Sequence, residues 1–268
     1  MFSYKPAAIQ ATWLGYFAST GIDEMDFIIG DKFVTPHDAD EEFTEKIIQM
    51  PNSYLCFSAP DVELEVEETP ALKENKITFG CFNKANKISN PVIQVWSEIL
   101  KNIPNSSLFF QGVGYDGDLK KSISEKFEAL GVSDKKLRFA KKTDRTELLK
   151  AYNKVDIALD PFPYPGGTTT CEALWMGVPT ITKKGFNFLS RVGETIAFNS
   201  DNEKLCAQND EEYVSLAITL ANDIPQLNKA RMTRRQKTLN SALFNAKLFA
   251  KDFEKLMFKI YETCKERE

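Results

Sequence analysis

The chain has 268 residues, 43% of them apolar and 27% charged, with a formal charge of −4. That length allows one large domain or two modest ones, and the apolar share is enough for a buried core. An acidic chain gives no general reason to expect nucleic acid or an anionic membrane as partner, so any phosphate site has to be local.

No run approaches the roughly 20 apolar residues that span a bilayer. The opening MFSYKPAAIQATW lacks the basic and apolar regions of a signal peptide. Cys56, Cys81, Cys171, Cys206 and Cys264 are odd in number and widely spaced. They read as reduced thiols, so a cytoplasmic location is expected. The single histidine, His37, lies in the polar stretch TPHDADEEFTE. One histidine leaves no basis for a Ser-His-Asp hydrolase or a multi-histidine metal site. The pairs Asp38/Asp40 and Asp116/Asp118 match a short metal-binding pattern, but both sit in turns, and no metal is expected at either.

In chain order, residues 1–60 contain a small unit. Ile9–Leu14 and Phe27–Ile29 are expected as strands, and Glu42–Met50 as a helix. Sixty residues make a poor independent domain, so this piece should belong to something larger or pack on the rest. The acidic segment Asp61–Lys76, flanked by Pro60 and interrupted by Pro70, is the linker candidate.

Strands and helices then alternate. The strands are Ile77–Phe82, Leu108–Phe110, Leu137–Phe139, Val155–Leu159 and Val178–Thr182. A helix opens at Asn90-Pro91 with Val92, Trp96, Ile99, Leu100 and Ile103 on one face. Asp118 is the expected cap of the next helix, which Gly131 ends. Asp144-Arg145-Thr146-Glu147 resembles a capping box for a helix through Tyr152. A further helix runs from the glycine–threonine loop through Trp175 to Gly177, and another opens at Asn209. The basic positions Lys229, Arg231, Arg234, Arg235 and Lys237 read as a solvated helix face. Phe244–Lys265 reads as a long amphipathic helix packed on the body. Strand–helix alternation at this spacing predicts an α/β fold, a Rossmann-like parallel sheet with flanking helices and right-handed crossovers.

Ligands on such sheets bind beyond the carboxyl ends of the strands. Two loops fall there: Asn83–Ser89, and Pro161 through Thr170. In the second, Gly166 and Gly167 let backbone approach a ligand, and Thr168, Thr169 and Thr170 follow where a helix must begin. Unpaired N–H groups and partial positive charge at a helix start suit a phosphate. Glu172, in the first turn, can accept bonds from ribose hydroxyls. The first loop holds Lys84 and Lys87, either of which can neutralise a diphosphate and stabilise a departing nucleotide.

These loops come with more. The stretches PAAIQATWLGY from Pro6, MDFII from Met25, Phe82–Pro91, VDIALDPFPYPGGTTTCEALWMGVP from Val155, and Ser190-Arg191-Val192-Gly193 resemble the carboxyl-terminal catalytic region of the O-GlcNAc transferase family, including its Spindly-type members. The resemblance spans nearly the whole chain. It implies the GT-B arrangement of two facing Rossmann-like domains, and an inverting, metal-independent glycosyltransferase acting on Ser or Thr of proteins. By resemblance Lys87 falls on the catalytic lysine, Thr168 and Thr169 on diphosphate-binding positions, and Glu172 on the acid that holds the ribose. Asn83, Lys84, Arg145 and Gly167 join the donor site. Lys84 stands where the family often has glutamine, Leu148 and Gly167 where histidines are common, and Arg145 replaces a base-side lysine.

The family's first Rossmann-like domain starts upstream of the segment matching Pro6. Residues 1–65 are therefore expected to be the tail of that domain, incomplete here, and 66–268 the nucleotide-sugar-binding domain. A separate chain supplying the amino-terminal half is an expected partner. The donor is expected to be UDP-GlcNAc, with GDP-fucose the alternative, and no cofactor beyond the donor. A non-catalytic nucleotide-sugar-binding module, or an assembly role through the last helix, are the competing functions.

Overall fold

The computed structural model describes residues 1–141 and 143–265. Among them are two parallel sheets. The first holds strands β1 (Ala11–Thr12), β2 (Phe27–Asp31) and β3 (Lys46–Met50) in that spatial order. The second holds β4 (Ile77–Cys81), β5 (Ser106–Phe110), β6 (Leu137–Phe139), β7 (Ile157–Leu159), β8 (Thr180–Lys183) and β9 (Cys206–Ala207), in the order β6-β5-β4-β7-β8-β9. The helices are α1 (Ala71–Glu74), α2 (Asn90–Asn102), α3 (Gly117–Ala129), α4 (Arg145–Lys150), α5 (Thr168–Trp175), α6 (Val192–Phe198), α7 (Asp210–Asn222), α8 (Ile224–Leu239) and α9 (Ala246–Lys265). None is long and apolar enough to cross a membrane among the described residues.

The strand order explains where a ligand can sit. From β4 the chain winds outward through β5 and β6, then returns to the other side of β4 for β7 and winds outward again through β8 and β9. The loops after β4 and β7 diverge at this reversal and leave a crevice between them. Every residue of β4 is buried, as expected of a parallel strand covered on both faces. Gly80 on β4 is needed for close packing: a Cβ there would lie 2.6 Å from Cγ1 of Val155. On α2 the expected face is buried, with Val92, Trp96 and Ile99 fully enclosed.

Three expectations are corrected. Glu42–Met50 is not a helix. Only Asp40–Glu42 makes a short 3-10 turn, and Lys46–Met50 is β3, paired with β2 so that Ile28 faces Ile47 and Ile29 faces Ile48. Phe43, Ile47 and Met50 recur at helical spacing, but the β-branched Ile47-Ile48 pair gains more from pairing beside β2. Asp118 does not cap α3. Asp116 is the cap residue, Gly117 at φ +50 starts the helix, and Asp118 sits inside the first turn.

The basic face of α8 is not simply solvated. Arg231 is fully buried, and its guanidinium donates to the backbone oxygens of Glu67 at 2.7 Å, Val155 at 2.7 Å and Tyr152 at 3.1 Å. Arg235 donates to the oxygens of Trp175 and Leu64, at 2.6 Å each, and lies over the Trp175 ring. The acidic linker is thereby clasped along its length, and Thr69 N–H adds a bond to Asn228.

α9 returns to the first sheet. Trp13 packs on Phe249 and Phe253 with ring centroids 5.9 and 4.9 Å away, and Asn52 donates to Asp252. The apolar cluster under β2 takes Cys171 and Leu174 from α5, Val192 and Ile196 from α6, and Leu256 and Ile260 from α9. At its edge Asp31 accepts bonds from the N–H groups of Phe33, Val34 and Tyr54 and from Thr195 Oγ1 of α6.

Candidate active site

The crevice at the β4/β7 reversal opens as a cavity of about 530 Å³. The β4 loop contributes Asn83, Lys84, Asn86 and Lys87; the β7 loop and the start of α5 contribute Tyr164, Pro165, Gly167, Thr168 and Thr169. Phe82, Gly112, Val113, Leu148, Phe17, Leu189 and Val192 complete its lining.

Lys87 is the best-fixed cation. A short 3-10 turn, Ala85–Lys87, lifts it off the end of β4. Its ammonium donates to Pro165 O at 2.7 Å and Asn83 Oδ1 at 3.1 Å, and lies 3.8 Å from the centre of the Tyr164 ring. Burial pulls its proton affinity below that of an ordinary lysine, and the Asp160 carboxylate acts in the opposite sense. Lys84 is exposed at the cavity mouth.

Across the cavity, α5 begins at Thr168 with Gly167 as cap residue. No side chain caps this helix end. Thr169 Oγ1 reaches Asn83 Oδ1 at 3.3 Å, so the two loops touch at the floor of the cleft. Gly167 has open space where a Cβ would stand, while a Cβ on Gly166 would lie 2.8 Å from Asp160 Oδ1 and 2.5 Å from Thr169 Oγ1. Gly166 is therefore required by the turn itself.

Glu172 and Arg145 do not line this cavity. They pair with each other, Arg145 Nη2 standing 2.8 Å from Glu172 Oε1. Each is one helical turn from a lining residue: Glu172 from Thr168 and Thr169 on α5, Arg145 from Leu148 on α4. Burial raises the Glu172 carboxyl above the ordinary range, and the Arg145 charge lowers it in part. Asp144 caps α4 by accepting from Glu147 N–H at 2.9 Å. The reciprocal half of the expected capping box is absent from the described bonds, since Glu147 pairs with Lys150 instead.

Six of the eight residues expected at the site, Asn83, Lys84, Lys87, Gly167, Thr168 and Thr169, line the crevice, and Glu172 and Arg145 pair with each other one helical turn away. Sequence reasoning missed Asp160, Tyr164 and the stack of the lining Phe82 on Tyr152, with ring centroids 3.7 Å apart. Tyr164 could have been found, as an aromatic inside the Pro-Gly loop. His37 lines a separate groove of about 780 Å³ along β3, which shares no lining residue with the crevice. Among the described residues no group of three or more His, Cys, Asp or Glu could hold a metal.

The chain is 35% identical over 259 residues to a Petunia hybrida protein named probable UDP-N-acetylglucosamine–peptide N-acetylglucosaminyltransferase SPINDLY, covering 95% of this chain and 28% of that protein. The Arabidopsis thaliana protein of the same name is 36% identical over 255 residues, 93% of this chain and 28% of its own length. The chain therefore spans little more than a quarter of these relatives. Among solved structures, a mutant of Thermobaculum terrenum O-GlcNAc transferase superposes with a TM-score of 0.90 at 30% identity, over 100% of this chain and 51% of that one. WaaG, a glycosyltransferase involved in lipopolysaccharide biosynthesis, superposes with a TM-score of 0.54 at 14% identity, over 88% of this chain and 64% of that one, and shares the fold alone. The fold is of the GT-B glycosyltransferase type. The profile of glycosyl transferase family 41 matches residues 1–60 and 58–253, and the chain belongs to that family.

Proposed function

We propose that this chain carries the nucleotide-sugar-binding part of a glycosyltransferase that moves GlcNAc from UDP-GlcNAc to a Ser or Thr hydroxyl of a protein. Residues 66–268 form the donor-binding domain in this reading, and residues 1–65 belong to the domain that faces it. The names of the SPINDLY relatives support both the donor and the peptide acceptor. One observation in the molecule carries the reading: a lysine ammonium and an uncapped helix start that opens on Thr168 and Thr169 line one cavity at the sheet's reversal point.

The chemistry follows from that charge. As the acceptor hydroxyl oxygen forms its bond to the anomeric carbon, the bond from that carbon to the diphosphate breaks, its electron pair stays on the leaving group, and the hydroxyl proton passes to the departing diphosphate. Lys87 and the N–H groups of Thr168 and Thr169 stabilise that negative charge. Attack opposite the leaving group inverts the anomeric centre. Glu172 accepts from the ribose hydroxyls, with Arg145 beside it. Charge compensation by protein groups makes transfer independent of a divalent metal. The free thiols of Cys56, Cys81, Cys171 and Cys206 support a reducing, cytoplasmic setting.

Calorimetric titration with UDP, GDP and UDP-GlcNAc in the presence of EDTA tests the reading. Saturable, UDP-selective binding supports it; GDP selectivity would assign a guanosine-linked donor; no binding by a folded sample would refute donor binding. Lys87→Ala should weaken UDP at least about tenfold, ~1.4 kcal/mol. An unchanged affinity removes Lys87 from the site.

A further inference from the structure

Asp160 follows the last residue of β7 and is 1% exposed. It belongs to none of the roles above. Its Oδ1 accepts from Gly166 N–H at 2.9 Å and from Asn83 Nδ2 at 3.2 Å, and Thr170 Oγ1 donates to its Oδ2 at 3.0 Å. Its own backbone is held from two further sides: its N–H donates to Ile181 O, and its C=O accepts from Tyr213 OH at 2.9 Å. The carboxylate therefore sits behind the crevice, touching both loops at once. Asn83, oriented by giving its amide N–H to Asp160, turns its Oδ1 to the Lys87 ammonium and to Thr169 Oγ1. Gly166, drawn in on the other side, sets the turn that starts α5.

We infer that Asp160 is a positioning residue whose buried carboxylate, acting through Asn83 and the Gly166 N–H, sets the Lys87 ammonium and the start of α5 in register for one diphosphate. This rests on the donor-binding reading above. It adds a residue that touches no donor atom, and a reason for it to be an acid. A neutral acceptor could hold the same bonds. An anion adds its charge to the Pro165 and Asn83 oxygens and the Tyr164 ring in offsetting the burial that disfavours the charged form of Lys87. The groups acting on Lys87 are Asp160 and Cys81, which favour its proton, and Lys84, which opposes it; the Tyr164 ring lies against it.

The test separates charge from shape. Asp160→Asn keeps the size and can keep the bonds from Gly166, Asn83 and Thr170 if Thr170 accepts instead of donating. Asp160→Ala keeps none. On the 268-residue chain labelled at lysine Cε, the Lys87 resonance, assigned by its loss in Lys87→Ala, is titrated with pH by NMR. UDP affinity is measured on the same samples, with thermal unfolding as the folding control. We expect Asp160→Asn to unfold near the wild-type temperature, to titrate Lys87 at lower pH and to bind UDP at least tenfold more weakly. An unchanged Lys87 midpoint overturns the inference. A lowered midpoint with unchanged UDP affinity overturns the positioning role for the ligand. If the wild-type chain binds neither UDP nor GDP, the donor reading fails, while the NMR titration still decides whether Asp160 governs Lys87.

Discussion

Gly166 and Gly167 are adjacent in sequence and have opposite tolerances. A methyl on Gly166 would enter the space of Thr170 Oγ1, Thr169 Oγ1 and the Asp160 carboxylate, all three parts of the loop's own scaffold. A methyl on Gly167 meets nothing within 4 Å and points into open space. Gly166→Ala should therefore lower the unfolding temperature and abolish UDP binding, whereas Gly167→Ala should unfold like wild type and change only affinity. Thermal scans and titrations of the two variants check this, and equal thermal losses would show that the turn is not built as described. At this scale the sequence is informative where chemistry is visible in residue type. Lysines after a strand and threonines at a helix start announce a phosphate. Asp160 announces nothing, because an aspartate after a strand reads as an ordinary turn residue until Asn83 and Gly166 are seen to converge on it. The Glu172–Arg145 pair was reachable residue by residue, but the sequence could not tell that the two would meet, since their helices are separate elements.

At the scale of elements, α8 shows how a charged surface pattern can mislead. Its arginines fall where a solvated face is expected, yet Arg231 and Arg235 end on backbone oxygens of the linker, of β7's approach and of α5. Carbonyl oxygens carry no signature in a sequence, so a buried arginine that serves them looks like any other. Arg231→Ala leaves the buried oxygen of Val155 without its donor and takes a bond from each of the Tyr152 and Glu67 oxygens, and should cost about 3 kcal/mol, a fall of roughly 6–12 °C for a chain of this size. Below the new transition, UDP affinity should be retained. Val155 precedes β7 at the end opposite the crevice, so damage there is remote from the site. A loss of binding without a loss of stability would contradict that placement. The alternating elements of the second sheet were legible because each strand is a short apolar run ending in turn residues. β3 was not, because Phe43, Ile47 and Met50 satisfy a helical period and only the pairing with β2 decides against it. β9 has two residues and α6 seven, and elements so short leave almost no periodic signal.

At the scale of the whole molecule, buried carboxyl groups recur. Asp31, Asp156, Asp160, Glu172 and Glu194 are all raised above their ordinary proton affinity, in each case chiefly by burial. They tie the parts together: Asp31 joins β2 to α6, Asp156 joins α1 to β4, Asp160 joins the two site loops, Glu172 pairs α5 with α4, and Glu194 pairs α6 with Lys184. The sign of the consequence is opposite to common acid denaturation. A carboxyl with a raised native pKa takes up its proton in the folded state before the unfolded one does, so the native state binds more protons in that window. Stability then rises as pH falls from neutrality towards the ordinary carboxylate range near 4. Glu45 works the other way. Bonds from Thr20 and Ser19 lower its carboxyl despite its burial, so its contribution is present above the ordinary value and is lost below it. Thermal unfolding at constant ionic strength should therefore show a midpoint that climbs between pH 7 and pH 5 and drops below about pH 4. Glu194→Gln, which removes one raised group while keeping its shape, should flatten the climb. A midpoint that falls steadily from pH 7 downward would mean that these carboxylates are held ionised by partners strong enough to overcome burial, and that the crevice, with Asp160 and Glu172 behind it, carries more negative charge than its fold suggests.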